Sequence, residues 1–391
     1  MHILYKKILQ IALLLAFVCL WGCGDSDESG EENDDAGQGT DSGNTEEDGG
    51  MDAGDVDDAG DSQDDAGPEY DPCWSVMDAS LSEEISLYGV WGSGLEDVYA
   101  AGGIRENVDG GLRAAIMHFD GTSWSRMDIP DVPGFIHFIQ GNSSGRVCTL
   151  SSGSYLMIFN GTEWDVVSTG LPGSDSRSDY MDFYYINAED IYFSYLTSPT
   201  IALYHYNGEE FEEVINSNSL WGIWANASDD VYVGGGFDYM NTGILHYDGI
   251  DWSLIQIPDA GCAMDVWGTS SSNIYVTESG NSLSKWSIFN FDGLSWNIAF
   301  ENISSNSRPR ITGSSPDDVY VHGYITEGNG AEVEVKQTRI YHFDGNEWSE
   351  MNIPETWIFM NIWAASEGEA FAVGYDSEDE KARIFRYSCG R

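Results

Sequence analysis

Val90-Trp91-Gly92, Asp97-Val98-Tyr99-Ala100-Ala101-Gly102, Ile116-Met117-His118-Phe119-Asp120-Gly121 and Trp124-Ser125-Arg126-Met127 make one unit of sequence, repeated seven times between Leu87 and Tyr387. Its mean spacing is roughly 45 residues, and a period of that size built from four short strands marks a propeller blade. The first strand, a, carries Trp at Trp91, Trp224, Trp267 and Trp363, with Gln140, Tyr184 and Thr312 in the same slot. A small residue usually follows: Gly92, Gly141, Ala225, Gly268, Gly313 or Ala364. Strand b alternates as Val98-Tyr99-Ala100 or Val231-Tyr232-Val233, the β-branched and aromatic pattern of a half-buried pleated surface. Strands c and d meet at Asp120-Gly121, Asn160-Gly161, Asn207-Gly208, Asp248-Gly249, Asp292-Gly293 and Asp344-Gly345. These dipeptides predict two-residue type I′ hairpins, in which both residues need positive φ.

The last copy lacks strand d, because Ile384-Phe385-Arg386-Tyr387 runs straight into Ser388-Cys389-Gly390-Arg391. The missing strand stands at the front of the domain: Cys73-Trp74-Ser75-Val76-Met77-Asp78 parallels Trp124-Ser125-Arg126-Met127-Asp128. The expected fold is therefore an all-β, seven-bladed propeller of four-stranded blades, closed by the N-terminal strand completing the last blade. The blades are expected at about 88–130, 135–168, 181–215, 220–258, 262–300, 309–354 and 357–388 with 73–78. In that register Cys73 and Cys389 fall at adjacent slots, so a Cys73–Cys389 disulfide is expected to latch the ring, as export permits. Cys148 and Cys262 lie in separate blades, too far apart to pair, and are expected as buried thiols.

Two segments precede this domain. Lys6 and Lys7 lead into an apolar run from Ile8 to Leu20, read as a signal peptide over 1–22. It ends in Leu20-Trp21-Gly22-Cys23, which resembles a bacterial lipobox with Cys23 as the lipidated residue. From Gly24 to Pro72 the chain holds 20 Asp or Glu and no Lys or Arg. Such a stretch buries too little apolar surface to offset ordering entropy, so 23–72 is expected as a lipid-anchored, disordered acidic linker. The domain over 73–391 carries 46 acidic and 14 basic residues. That balance argues against nucleic acid as a partner, which needs clustered Lys and Arg, and confines membrane contact to the N-terminal lipid.

The repeat resembles bacterial envelope lipoprotein propellers of the kelch and Asp-box type, on the Trp-Gly, Asp-Val-Tyr and Asp-Gly-x-x-Trp columns quoted above. It departs from both patterns. A Gly-Gly pair follows strand b only at Gly102-Gly103 and Gly234-Gly235-Gly236, and the intervals from turn Asp to Gly and to aromatic are one and four residues. The resemblance implies an architecture, not an activity; an outer-membrane or cell-surface address is expected because Gly24, not an inner-membrane-retaining Asp, follows Cys23.

His118, His205, His246 and His342 each stand two residues before the turn. They lie in different blades and cannot converge on a metal, so a repeated polar clasp from each His to the neighbouring turn or hairpin is expected, with no metal and no cofactor. No His-Glu-x-x-His or phosphate loop occurs, and none of the 11 Arg is expected at a repeated axial slot. The a–b and c–d connections are short and constant, whereas b–c and d–a vary and share the opposite face. Function gathers on variable loops over a fixed scaffold. The candidate binding face is therefore Arg105, Arg113, Phe237, Tyr239, Lys285, Trp286, Arg308, Arg310, Tyr324 and Lys336, with Arg177 and Lys381 nearby. The function expected is a non-catalytic, monomeric module binding an unidentified protein or glycan. A glycan-processing hydrolase or lyase in the propeller mouth and an envelope-assembly factor stand as alternatives.

Overall fold

The computed structural model describes residues 70–82, 84–105, 111–142, 144–172, 180–197, 199–236, 242–258, 260–279, 285–304, 309–329 and 332–389. They form seven four-stranded antiparallel sheets. The inner strands a are Ile85–Gly94, Ile136–Gly141, Tyr180–Asn187, Ser219–Ala227, Cys262–Ser270, Arg310–Ser315 and Trp357–Ser366, in blades one to seven. Each is followed in order by its b, c and d strands, except in blade seven. There Trp74–Met77 pairs with Lys381–Ser388, in the register Trp74↔Tyr387 to Met77↔Ile384. The N-terminal closure inferred from the orphan strand is present, and Cys73 and Cys389 form a disulfide across it with Cα atoms 5.1 Å apart. The lipobox Cys23 and the linker as far as Glu69 lie outside the described residues. Cys148 is a buried free thiol. Cys262 is buried as well but is disulfide-bonded, which corrects the expectation of a thiol there.

The apolar core lies between blades rather than within them. Tyr99, Ala101 and Ile116 of blade one pack with Ile136, Ile139, Val147 and Met157 of blade two. Each fully buried aliphatic side chain of this kind contributes about 1.5–3 kcal/mol. Nearest the axis the joint has a fixed form. The ring tip of Trp363 occupies the space a Cβ on Gly92 would take, 2.7 Å from it. Trp91 does the same to Gly141, Trp224 to Gly268 and Trp267 to Gly313, at 2.5–2.9 Å. In every case the Trp comes from one blade and the Gly from the next. Where the preceding slot holds no Trp, the small residue is not Gly: Ala225 follows Tyr184 of blade three, Ala364 follows Thr312 of blade six, and Tyr185 follows Gln140 of blade two. Tyr184 donates its hydroxyl to the Ala225 carbonyl at 3.1 Å. Gln140 accepts from the Tyr185 amide at 2.8 Å and donates to the Phe183 carbonyl at 3.0 Å. None of those four glycines has positive φ; besides the Trp tip, a Cβ at each would meet a carbonyl oxygen of its own blade at 2.2–2.7 Å, so close approach on two sides requires Gly there.

The His clasp is present, but it grips strand b rather than the turn. His118, His205, His246 and His342 place Nε2 at 2.7–2.8 Å from Asp97, Asp190, Asp230 and Asp318, the residues that open strand b. Each imidazole also stacks on the Tyr two residues beyond that Asp, with centroids 4.2–4.5 Å apart. Blade seven substitutes the whole set, with Arg386 paired to Glu369 at 3.1 Å and lying over Phe371. In blade two Cys148 takes the Tyr position opposite Ile158, and Arg146 stands where the other blades have Asp.

The c–d connections differ from the two-residue hairpins expected. Strand pairing stops at Phe119↔Trp124, leaving four turn residues, and only the Gly of each turn has positive φ. The first residue supplies a side-chain cap instead: Asp120 Oδ1 accepts from the amides of Thr122 and Ser123 at 2.9 and 2.8 Å. Asn160 and Asn207 cap their turns in the same way. An Asx cap satisfies two amides without forcing Asp or Asn into the left-handed region. These amide bonds hold the exposed Asp120, Asp248, Asp292 and Asp344 carboxyls below the usual range.

Two outcomes are expected from this frame. The Cys73→Ser and Cys389→Ser variants lose about 5 kcal/mol, at the upper end because the bridged residues are 316 positions apart; chemical denaturation measures this. Gly141→Ala costs about 1–3 kcal/mol by overpacking, because its Cβ would meet the Arg146 carbonyl at 2.2 Å and the Trp91 ring tip at 2.6 Å; Trp91→Thr alongside it relieves only the second contact and recovers part of the loss. A double-mutant cycle in urea gives that coupling.

Candidate functional site: the axial cavity

The inner strands surround a cavity of about 270 Å³, lined by residues from all seven blades. Two layers can be read from the spacing along strand a. One contains the Trp slot: Trp91, Gln140, Tyr184, Trp224, Trp267, Thr312 and Trp363. The other lies two residues earlier and contains Phe138, Asp182, Asp265, Arg310 and Asn361, with Gly89 and Gly222 at the remaining places. In most blades a β-bulge just before this position sets its direction. Strand a enters from the d–a connection, so the second layer is nearer the variable-loop face.

The polar groups of that layer are engaged with one another and with backbone. Asp182 accepts from the Ile223 amide at 2.7 Å and from Arg310 Nη1 at 3.0 Å. Asp265 accepts from the Ile311 and Val266 amides at 3.0 Å each. Each carboxylate thus ties its blade to the next. Arg310 does something different: it crosses the axis from blade six to Asp182 of blade three and lies over the Phe138 ring of blade two, 5.6 Å from its centroid. Burial alone would lower its pKa, but Asp182 and Asp265 raise it above the ordinary value. His322 pairs in register with Arg310 and is 2% exposed. Burial, and then the charge of Arg310, push its pKa down to about 3, so its imidazole is neutral. Neither of its ring nitrogens makes a well-formed hydrogen bond among the described residues.

The expected binding face is dispersed by this geometry. Arg310 is not on a loop, and an Arg does occupy an axial slot, because the strand begins at Arg310 itself. Trp286 is 0% exposed and belongs to the interblade core, since the strand Lys285–Phe291 directs it inward. Tyr324 is half-buried and donates its hydroxyl to the Phe359 carbonyl at 2.8 Å, holding blade six to blade seven. Three residues remain on the surface. Arg105 ends its strand b, Arg113 pairs with Asp131 at 3.1 Å, and Lys336 pairs with Glu334 at 2.9 Å. Lys285 opens a strand, though its side chain is outside what is described. Arg177, Phe237, Tyr239 and Arg308 lie outside the described residues. Among the described residues, the acidic, His and Cys atoms close enough to share a metal are those of Asp71, Cys73 and Cys389, and both sulfurs are already joined to each other.

Asp182 and Asp265 escaped the sequence reading because Asp is abundant throughout the chain. The available signal was positional: both stand two residues before a Trp-slot residue, as do Phe138 and Arg310.

No family model matches this chain, and no curated protein matches it in sequence. Among solved structures, one described as YCF48 bound to D1 peptide aligns with a TM-score of 0.51 at 12% identity, covering 82% of this chain and 98% of that one. A second, SapL1 lectin in complex with alpha methyl fucoside, aligns with a TM-score of 0.42 at 14% identity, covering 70% and 98%. At such identities the first likeness is one of propeller fold. Asp182→Ala is expected to cost about 3 kcal/mol by leaving Arg310 without its cross-axis partner. Adding Arg310→Met should recover part of that loss, as guanidinium denaturation of the three proteins will show.

Proposed function

We propose that this protein is a non-catalytic binding module, lipid-anchored at Cys23 in the outer membrane of a bacterial envelope. On this reading it takes a protein or glycan ligand at the variable-loop face, centred on the axial mouth. The observation that carries the reading is the axial layer. Asp182, Asp265 and Arg310 are engaged by backbone amides and by each other, an arrangement that builds a fixed recognition surface. His322 adds a buried, neutral imidazole able both to donate and to accept. A ligand hydroxyl or amide reaching the cavity would satisfy it, and burying polar groups without partners is costly. Fold likeness to a peptide-bound propeller makes such a ligand compatible with the architecture and no more.

The mature chain, screened on a glycan array and against envelope proteins, is expected to capture a ligand. Seating of that ligand should shift the emission of the axial Trp91, Trp224, Trp267 and Trp363. Arg105→Ala, Arg113→Ala and Lys336→Ala together should weaken capture while leaving the melting temperature within a few degrees. Turnover of any member of a polysaccharide panel would overturn the non-catalytic reading, and absence of lipid labelling at Cys23 would overturn the anchor.

A further inference from the structure

The turn face, opposite the variable loops, carries a cleft of about 480 Å³ between blades three and four. Its aromatic wall is the half-buried Tyr247 and Trp252, over a buried Tyr192 whose ring stacks on His205 at 4.4 Å. Trp252 stands edge-on to Tyr192 across the joint, at 6.4 Å and 75°, and lies near-parallel to Tyr247, at 5.4 Å and 30°. Its rim is acidic: Glu189 and Glu212 are exposed, and Asp190 is held below by His205 at 2.7 Å. Among the described residues, no Lys or Arg lines it. The same aromatic geometry recurs between blades five and six in a cleft of about 360 Å³. There Trp348 meets Tyr275 at 6.5 Å and 72°, and Phe343 at 5.5 Å and 29°. That copy has one carboxylate, Glu347, and Asn290 where the first has His205.

The geometry points to the cleft between blades three and four as a socket for an arginine side chain of a partner polypeptide, with the second cleft a weaker copy. The partly exposed rings of Tyr247 and Trp252 beside Glu189 and Glu212 match a guanidinium, which stacks and donates in a fork at once. An anion is repelled by the same rim. A neutral sugar would use the aromatic faces but leave the excess charge uncompensated. The net charge of −50 over the whole chain steers a cationic partner toward this surface. The socket is independent of the axial mouth, so either reading can fail alone.

N-acetyl-arginine amide titrated into the mature chain, followed by tryptophan emission and by calorimetry, tests this. Saturable binding that weakens with salt is expected, with N-acetyl-citrulline amide and methyl glycosides inert. Glu212→Gln and Glu189→Gln should each raise Kd roughly three- to fivefold, whereas Glu163→Gln, an exposed change on blade two, should leave it unchanged. Three results would overturn the proposal: no saturable response, citrulline or a glycoside binding as well as arginine, or Glu163→Gln weakening binding as much as Glu212→Gln.

Discussion

The contact on which the ring depends is a tryptophan edge set against a glycine of the next blade. It occurs at the joints seven–one, one–two, four–five and five–six, with the tryptophan tip 2.5–2.9 Å from where a Cβ would stand. A propeller has no single core, and each blade buries its apolar faces only by docking on two neighbours. Blade spacing near the axis therefore decides how well every outer layer packs. At the other joints a hydrogen bond or a smaller pair replaces the tryptophan: Gln140 to the backbone of blade three, Tyr184 to Ala225, and Thr312 beside Ala364. Size is exchanged across each joint, and the spacing is preserved.

The same logic governs the rest of the repeat. The Asp-x-Tyr column of strand b and the His of strand c are one unit, in which carboxylate, phenol ring and imidazole are held by a hydrogen bond and a stack. Blade seven replaces all three members together, as Glu369, Phe371 and Arg386, because a charged Arg needs both a carboxylate and a ring face. Blade two has no carboxylate–imidazole pair, with Arg146, Cys148 and Ile158 in the three places, and a buried polar network is worth keeping only when every member is satisfied. Its Cys148 is thus a filler of the tyrosine position, with a thiol pushed up by burial. The disulfide adds covalent closure at the one joint whose strands come from opposite ends of the chain.

The axis and the turn-face clefts share a principle: side chains that repeat for packing acquire chemistry where the copies differ. Trp252 and Trp348 open strand d like the other aromatics in that column, yet they border clefts, whereas Trp74 and Trp124 are buried. Arg310 is the single basic residue in an axial layer otherwise made of two carboxylates, an amide, a ring and two glycines. Its charge reaches across to blade three, a pairing 128 residues distant in sequence.

Blade number, strand order, the N-terminal closure and the Cys73–Cys389 latch were legible in the sequence, since each is a matter of period and register. Both are one-dimensional quantities that repetition makes redundant. Turn chemistry was half legible: Asp-Gly announces a tight connection, but capping by the Asp side chain, rather than a type I′ backbone, depends on where strand pairing stops. Side-chain direction was not legible at Trp286, Arg310 and Tyr324. Sequence placed them on variable loops, whereas strands that begin at Lys285 and at Arg310 and one that runs on to Asn329 turned Trp286 into the core, Arg310 onto the axis and Tyr324 into an interblade bond. Alternation along a strand reverses inside and outside at every step, so a boundary known to within two residues leaves the face undecided. Only the tertiary structure, by setting the strand ends and bringing seven inner strands around one axis, could decide which charges meet.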